Sequence, residues 1–133
     1  MKAKSIDIHL SVEVSGNDVI AYLQFSNENS DKVYLDTWTI CTDNVFRRDI
    51  FSITDEHGNK IGYSGMMVKR EVKPEDFIAI DTGEKMNMNI TVNKAYKLIK
   101  GKKYIIQFCA YNPTYLNMQG LMPMQSNSVE INY

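Results

Sequence analysis

A chain of 133 residues is long enough for one domain that buries a core without disulfide or metal support. Fifteen basic and sixteen acidic residues give a net charge of −1, which argues against a global electrostatic grip on nucleic acid or an anionic membrane. No apolar run approaches the length of a membrane-spanning helix. We therefore predict a single domain over residues 1–133, with neither nucleic acid nor membrane as a partner.

Alternation of apolar and polar residues predicts most of the chain to be short β-strands. In "IDIHLSVEV", residues 6–14, every second residue is apolar, which is the period of a half-buried strand. Turn sequences such as "SGND" and "EHGN" separate such runs. The predicted strands are 6–14, 19–27, 32–40, 50–54, 60–64, 76–80, 85–92, 101–111 and 127–133. This pattern indicates an all-β fold, an immunoglobulin-like antiparallel β-sandwich of about seven to nine strands.

Four aromatic side chains are expected in one core: Phe25, Trp38, Tyr104 and Phe108. Trp38 is expected between the two sheets, because burying an indole ring removes a large apolar area from water.

Two features bear on the compartment of the protein. Cys41 and Cys109 permit one disulfide, and strand alternation places both on outward or rim faces. We expect free thiols if the compartment is reducing. The start of the chain alternates like a strand and lacks the continuous apolar stretch of a signal peptide. The protein is cytoplasmic if Met1 is its natural start, and secreted or periplasmic if a signal has been removed.

No set of residues with catalytic spacing is present. His9 and His57 are far apart in the sequence, and His57 lies in a polar turn. No nucleophile elbow or glycine-rich phosphate loop occurs. We therefore expect no enzyme, no metal site and no cofactor.

The segment "KAYKLIKGKK", residues 94–103, concentrates five lysines around Tyr96. It is interpreted as a solvated turn in which Tyr96, Leu98 and Ile99 close one end of the sandwich. Binding of a phosphate backbone or an acidic partner is the alternative.

The segment "YNPTYLNMQGLMPMQS", residues 111–126, is interpreted as a sixteen-residue connection between two strands. A loop so rich in apolar residues either covers the core or forms a contact surface, for which flexible thioethers are suited. Met118, Met122 and Met124 would also suit Cu(I) as soft ligands. We expect Met122 to be buried and either Met118 or Leu121 to be exposed.

The segment "YSGMMVKR", residues 63–70, places two methionines and a valine before two cations. It is interpreted as a strand in which either Met66 or Met67 faces outward, with Lys69 and Arg70 where it leaves the sheet. An edge strand protected by charge is one interpretation. The other is an edge on which another domain docks.

The stretch "IGYSGMMVKREVKPEDFIAIDTGEKMNMNITVNKAYKLIKGKKYIIQF", residues 61–108, resembles the β-sandwich domain that precedes the catalytic domain in deuterolysin-like metalloendopeptidases. The residues that carry the resemblance are Tyr63, Gly65, Lys69, Arg70, Pro74, Asp76, Phe77, Gly83, Glu84, Val92, Ala95, Tyr96, Gly101 and Tyr104. The closing "SNSVEINY" is similar as well. The His-Glu-x-x-His helix that zinc peptidases of this class need is absent from the sequence.

The resemblance implies a non-catalytic protein-binding module associated with a peptidase, as an inhibitor or as a pro-domain-like chaperone. The alternatives are a secreted or envelope interaction domain unrelated to peptidases and a methionine-rich copper-binding domain. The predicted partner-binding residues are Met66, Met67, Lys69, Arg70, Tyr115, Leu116, Met118, Leu121 and Met124.

Overall fold

The computed structural model describes residues 6–113 and 121–133, and its regular structure is almost entirely β-sheet. The strands in chain order are β1 (Asp7–Ser15), β2 (Asp18–Ser26), β3 (Val33–Asp36), β4 (Phe51–Asp55), β5 (Phe77–Ile80), β6 (Lys85–Thr91), β7 (Lys103–Pro113) and β8 (Leu121–Asn132). Single 3-10 turns lie at Pro74–Asp76 and Val92–Lys94. The predicted all-β fold is confirmed.

The strands form three antiparallel sheets, with the orders β1-β2-β6, β3-β5 and β4-β7-β8. All three sheets contribute side chains to one hydrophobic core. This arrangement is consistent with a β-sandwich. The more specific immunoglobulin-like strand arrangement stays a prediction.

Period-two alternation accounts for the longest hairpin. In β1, Ile8 and Leu10 are buried while Asp7 and His9 are exposed. The paired strand β2 turns its own alternate residues inward, so the two strands bury one common face. Because both strands are predicted by the same local pattern, their register follows once the turn between them is formed.

The centre of the core is aromatic. The ring of Phe108 lies with its centroid 5.8 Å from those of Phe25 and Phe51, in edge-to-face contacts. Tyr104 is fully buried, and its hydroxyl accepts a hydrogen bond from the backbone N–H of Ile99 at 2.8 Å. Three of the four predicted core aromatics are therefore in the core.

Trp38 is the fourth, and its predicted place between the sheets is wrong. Strand β3 ends at Asp36 instead of residue 40, because the Asp36 carboxylate forms hydrogen bonds with the residues of the turn that follows. That carboxylate accepts hydrogen bonds from the Trp38 backbone N–H at 3.2 Å and from the Thr39 hydroxyl at 2.6 Å. A side-chain cap of this kind favours a turn over a continued strand. Trp38 is consequently half-buried, outside the core.

The prediction of a sixteen-residue loop at 111–126 is also wrong. Strand β7 continues to Pro113 and β8 begins at Leu121, so both sides of the connection are paired strand. Met122 and Met124 in its second half alternate toward the core as strand residues do, which explains why both are apolar.

Three smaller expectations are also corrected. The predicted return strand at 60–64 forms only isolated bridges, from Lys60 to Thr54 and from Tyr63 to Tyr96. Cys41 is fully buried instead of lying on an outward face. Of the residues expected to close the end of the sandwich, Tyr96 is buried, Leu98 is half-buried and Ile99 is 56% exposed.

Asparagine side chains join sheets whose strands do not pair directly. The Asn127 carboxamide of β8 accepts from the Leu10 N–H at 2.7 Å and donates to the Leu10 carbonyl at 3.0 Å. Asn112 of β7 does the same for β3, bonding the Asp36 N–H at 2.8 Å and the Tyr34 carbonyl at 2.9 Å. A carboxamide has an oxygen that accepts hydrogen bonds and an NH₂ group that donates them. It can therefore take the place of a peptide group of a neighbouring strand. These contacts hold the sheet edges together.

We expect Asn127→Ala to lower the free energy of unfolding by about 2 kcal/mol, because it removes two part-buried hydrogen bonds. Urea unfolding followed by fluorescence measures the change. The matched control is Asn89→Ala, since Asn89 is exposed on β6. Equal stabilities of the two variants would contradict the role of Asn127.

Candidate functional site

The segment 63–72, which we call the contact loop, carries the two most exposed methionines of the described residues. Met66 is 55% exposed and Met67 is 71% exposed. The segment is not a strand, although its backbone runs without a turn or bend from residue 66 to residue 73. Side chains so exposed make few packing contacts within the chain. They are therefore available for contact with another molecule.

The first anchor of the contact loop is at its start. The Ser64 backbone N–H donates to the Ala95 carbonyl at 2.7 Å, and the Ser64 hydroxyl donates to the same oxygen at 3.0 Å. The Tyr63 ring packs with its centroid 5.6 Å from that of Tyr96. The start of the loop is therefore attached to a buried part of the core.

Tyr63 also shapes the loop itself. Its hydroxyl donates to the Met66 carbonyl, across Gly65. A Cβ atom at position 65 would lie 2.6 Å from the Tyr63 hydroxyl oxygen, so glycine is required for this closure. Burial raises the pKa of Tyr63, which keeps the hydroxyl protonated as a donor.

The second anchor lies just after the methionines. The Val68 backbone N–H donates to the Arg47 carbonyl at 3.0 Å. The Arg47 guanidinium in turn bonds both carboxylate oxygens of Asp43, at 2.7 and 3.1 Å. These hydrogen bonds hold the pKa of Asp43 below its usual value and raise that of Arg47.

The third anchor is a buried cation. The Arg70 side chain is only 8% exposed, and its guanidinium forms ion pairs with Asp36 and, at 2.8 Å, with Asp76. The Asp36 side chain has no exposed surface at all. The Arg70 guanidinium also lies 4.2 Å from the centroid of the Trp38 ring, and that of Arg47 lies 4.8 Å from it. A cation over an indole face gains electrostatic attraction.

The predicted site residues of this segment divide into two groups. Met66, Met67 and Lys69 are exposed on the contact loop, as a partner-binding role requires. Arg70 does not fit that role, because its side chain points into the protein and is neutralised there. The predicted strand is wrong as well, and so is the expectation that only one methionine faces outward.

The second group of predicted residues does not join this site. Met124 is 1% exposed and belongs to the core, so its predicted role in partner binding is wrong. Met122, which was expected to be buried, is half-buried against the same core. Leu121 begins β8, but its side chain, like residues Tyr115, Leu116 and Met118, lies outside what the structure describes.

Sequence reasoning missed the residues that hold the contact loop in place. They are Asp36, Trp38, Arg47 and Asp76. One signal was present: "DTWT" begins with an aspartate whose side chain suits a turn. Nothing local in the sequence connects that aspartate to Arg70.

Among the described residues, no group of three or more histidine, cysteine, aspartate or glutamate side chains converges as a metal site would require. Cys41 and Cys109 are both free thiols, and burial raises the pKa of Cys41 to about 11, so its nucleophilic thiolate is disfavoured. His57 lies in a turn held by Asp55, whose carboxylate accepts the His57 backbone N–H at 2.9 Å. In residues 6–113 and 121–133, no helix is long and apolar enough to cross a membrane.

Comparison of the chain with protein-family models and with curated proteins finds no match. The resemblance to the sandwich domain of deuterolysin-like peptidases therefore stays a prediction. What bears on function is the geometry of the contact loop.

Proposed function

We propose that this chain is a non-catalytic protein-binding module that binds a peptidase through the contact loop, as an inhibitor or as a pro-domain-like chaperone. The single observation that carries the proposal is the exposure of Met66 and Met67 on a segment that is anchored on both sides. The association with a peptidase rests on the resemblance of residues 61–108 to the peptidase sandwich domain.

Anchoring favours binding because the loop loses little conformational freedom when a partner arrives. Ser64 and Val68 fix the backbone on either side of the methionines, and Arg70 fixes the chain two residues later. Ordering a flexible segment on binding would instead cost roughly 0.5–1.5 kcal/mol for each immobilised side chain. The methionine side chains themselves remain adaptable, which suits them to an apolar partner surface.

The copper-binding alternative is less well supported by the geometry. Met124 is one of its three proposed thioether ligands, and it is packed in the core. Met122 faces the same core from β8. A metal ion would reach the Met124 sulfur only if the strand moved away from the core.

The proposal is tested by capture from a lysate of the source organism, with the bound proteins identified by mass spectrometry. Met66→Ser/Met67→Ser is the test variant, and Ile105→Ser is the matched control, because Ile105 is an exposed apolar residue on β7. We expect the unchanged chain and the control to retain a peptidase that the test variant loses. The three proteins should melt at similar temperatures.

Two results would contradict the proposal. One is that no peptidase is retained by the unchanged chain. The other is that the double serine variant retains the peptidase as well as the control does, which would place the contact elsewhere on the surface.

A further inference from the structure

Resting on the proposed function, we infer that the contact loop binds in the active-site cleft of an endopeptidase in the manner of a substrate. Met67 occupies the pocket that selects the side chain before the cleaved bond, and the Met67–Val68 peptide bond faces the catalytic group. The partner surface is therefore an apolar pocket beside a catalytic centre.

The backbone conformation fits this mode of binding. Binding sites for peptides commonly accept an extended segment, pairing with its main chain and reading alternate side chains. Residues 66–73 contain no helix, turn or bend, so the main chain makes no sharp change of direction there. In the described part of the chain, the N–H and C=O of Met67 make no hydrogen bond, which leaves both groups available to a cleft.

Met67 is assigned to the pocket in preference to Met66 for two reasons. Its side chain is the more exposed, at 71% against 55%. The Met66 carbonyl is already occupied by the Tyr63 hydroxyl, whereas the carbonyl before the cleaved bond must be free to meet the oxyanion-stabilising groups of the enzyme.

The anchors after Met67 explain why such a segment would inhibit instead of being consumed. On hydrolysis the Met67–Val68 C–N bond breaks, and water supplies the hydroxyl of the new carboxyl group and a proton to the new amine. That amine would remain beside the Arg47 carbonyl, to which the Val68 N–H donates at 3.0 Å. Arg70, held by Asp36 and Asp76, keeps the following chain in place. The two cut ends therefore stay together in the cleft, and release is slow.

Exchange of the pocket residue tests this inference, with chymotrypsin and trypsin as the probes. The two enzymes differ in this pocket, which is an apolar slot in chymotrypsin and carries an aspartate in trypsin. We expect the unchanged chain to slow hydrolysis of a small chromogenic substrate by chymotrypsin. In Met67→Lys, inhibition of chymotrypsin should weaken about tenfold while inhibition of trypsin strengthens by about the same factor.

Ile105→Lys is the matched control, because it adds the same charge at an exposed apolar residue of β7, outside the contact loop. It should leave inhibition of chymotrypsin and of trypsin within about threefold of the unchanged chain. Mass spectrometry of long incubations of the unchanged chain with chymotrypsin should find Met67–Val68 as the first bond cut in the folded protein.

The inference is overturned if neither enzyme is inhibited by any of the three proteins, if Ile105→Lys switches the specificity, or if chymotrypsin first cuts the unchanged chain at another bond. These outcomes are distinct from failure of the proposed function. A peptidase captured through Met66 and Met67 without any switch in specificity would retain the binding module and reject the substrate-like mode.

Discussion

Replacing Arg70 by methionine is expected to lower the free energy of unfolding by about 3–5 kcal/mol, the loss that follows when one partner of a buried ion pair is removed. The Asp36 carboxylate has no exposed surface, so the variant would leave a charge in the interior without its cation. Methionine restores much of the apolar volume against Trp38 but none of the charge. Equilibrium urea unfolding measures the difference.

Lys69→Met is the matched control, because it removes the same charge from the adjacent residue, which is exposed. Its stability should lie within about 0.5 kcal/mol of the unchanged chain. A second control combines Arg70→Met with Asp36→Asn, which removes both charges and should recover part of the loss. If Arg70→Met and Lys69→Met have equal stabilities, the buried ion pair does not stabilise the contact loop.

Met124→Ala is expected to lower the free energy of unfolding by about 2–5 kcal/mol, the usual range for truncating a buried methionine. Met124 is 1% exposed in the core, and alanine would leave a cavity that the surrounding strands fill only in part. Met67→Ala should change the stability by less than about 0.5 kcal/mol, because Met67 is 71% exposed. Chemical unfolding of the two variants separates a core methionine from a contact methionine.

The effects of the two substitutions on binding should have the opposite order to their effects on stability. Met67→Ala should weaken capture of the peptidase while Met124→Ala leaves capture unchanged per folded molecule. Equal losses of stability in the two variants would show that the contact loop belongs to the folding core, and it would then lose its place as the site.

The strands that alternate cleanly were predictable because the signal is local. In β1, β2 and β6, apolar residues recur at every second position, and a strand with that period buries one face wherever it packs. The same reasoning failed at β3, where a single side chain intervened. The Asp36 carboxylate offered hydrogen bonds to the next turn, and these competed with continuation of the strand.

The prediction of a loop at residues 111–126 failed for a different reason. An apolar residue in a loop and an apolar residue in a strand look alike when glycine and proline interrupt the pattern. Only the partner strand distinguishes them, and β7 pairs with β8 as far as Pro113 and Leu121. Burial of Met124 follows from that pairing.

By itself, the sequence determined the class of the fold and most of the strands, because period-two alternation and turn residues act over a few neighbouring positions. It also identified Met66 and Met67 as unusual. Only the tertiary structure decided that both methionines are exposed, that the Arg70 side chain is buried, and that it forms ion pairs with Asp36 and Asp76. The physical reason is that a buried arginine is stable only when its charge is paired, and the pairing of Arg70 with Asp36, far away in the sequence, is a property of the folded chain.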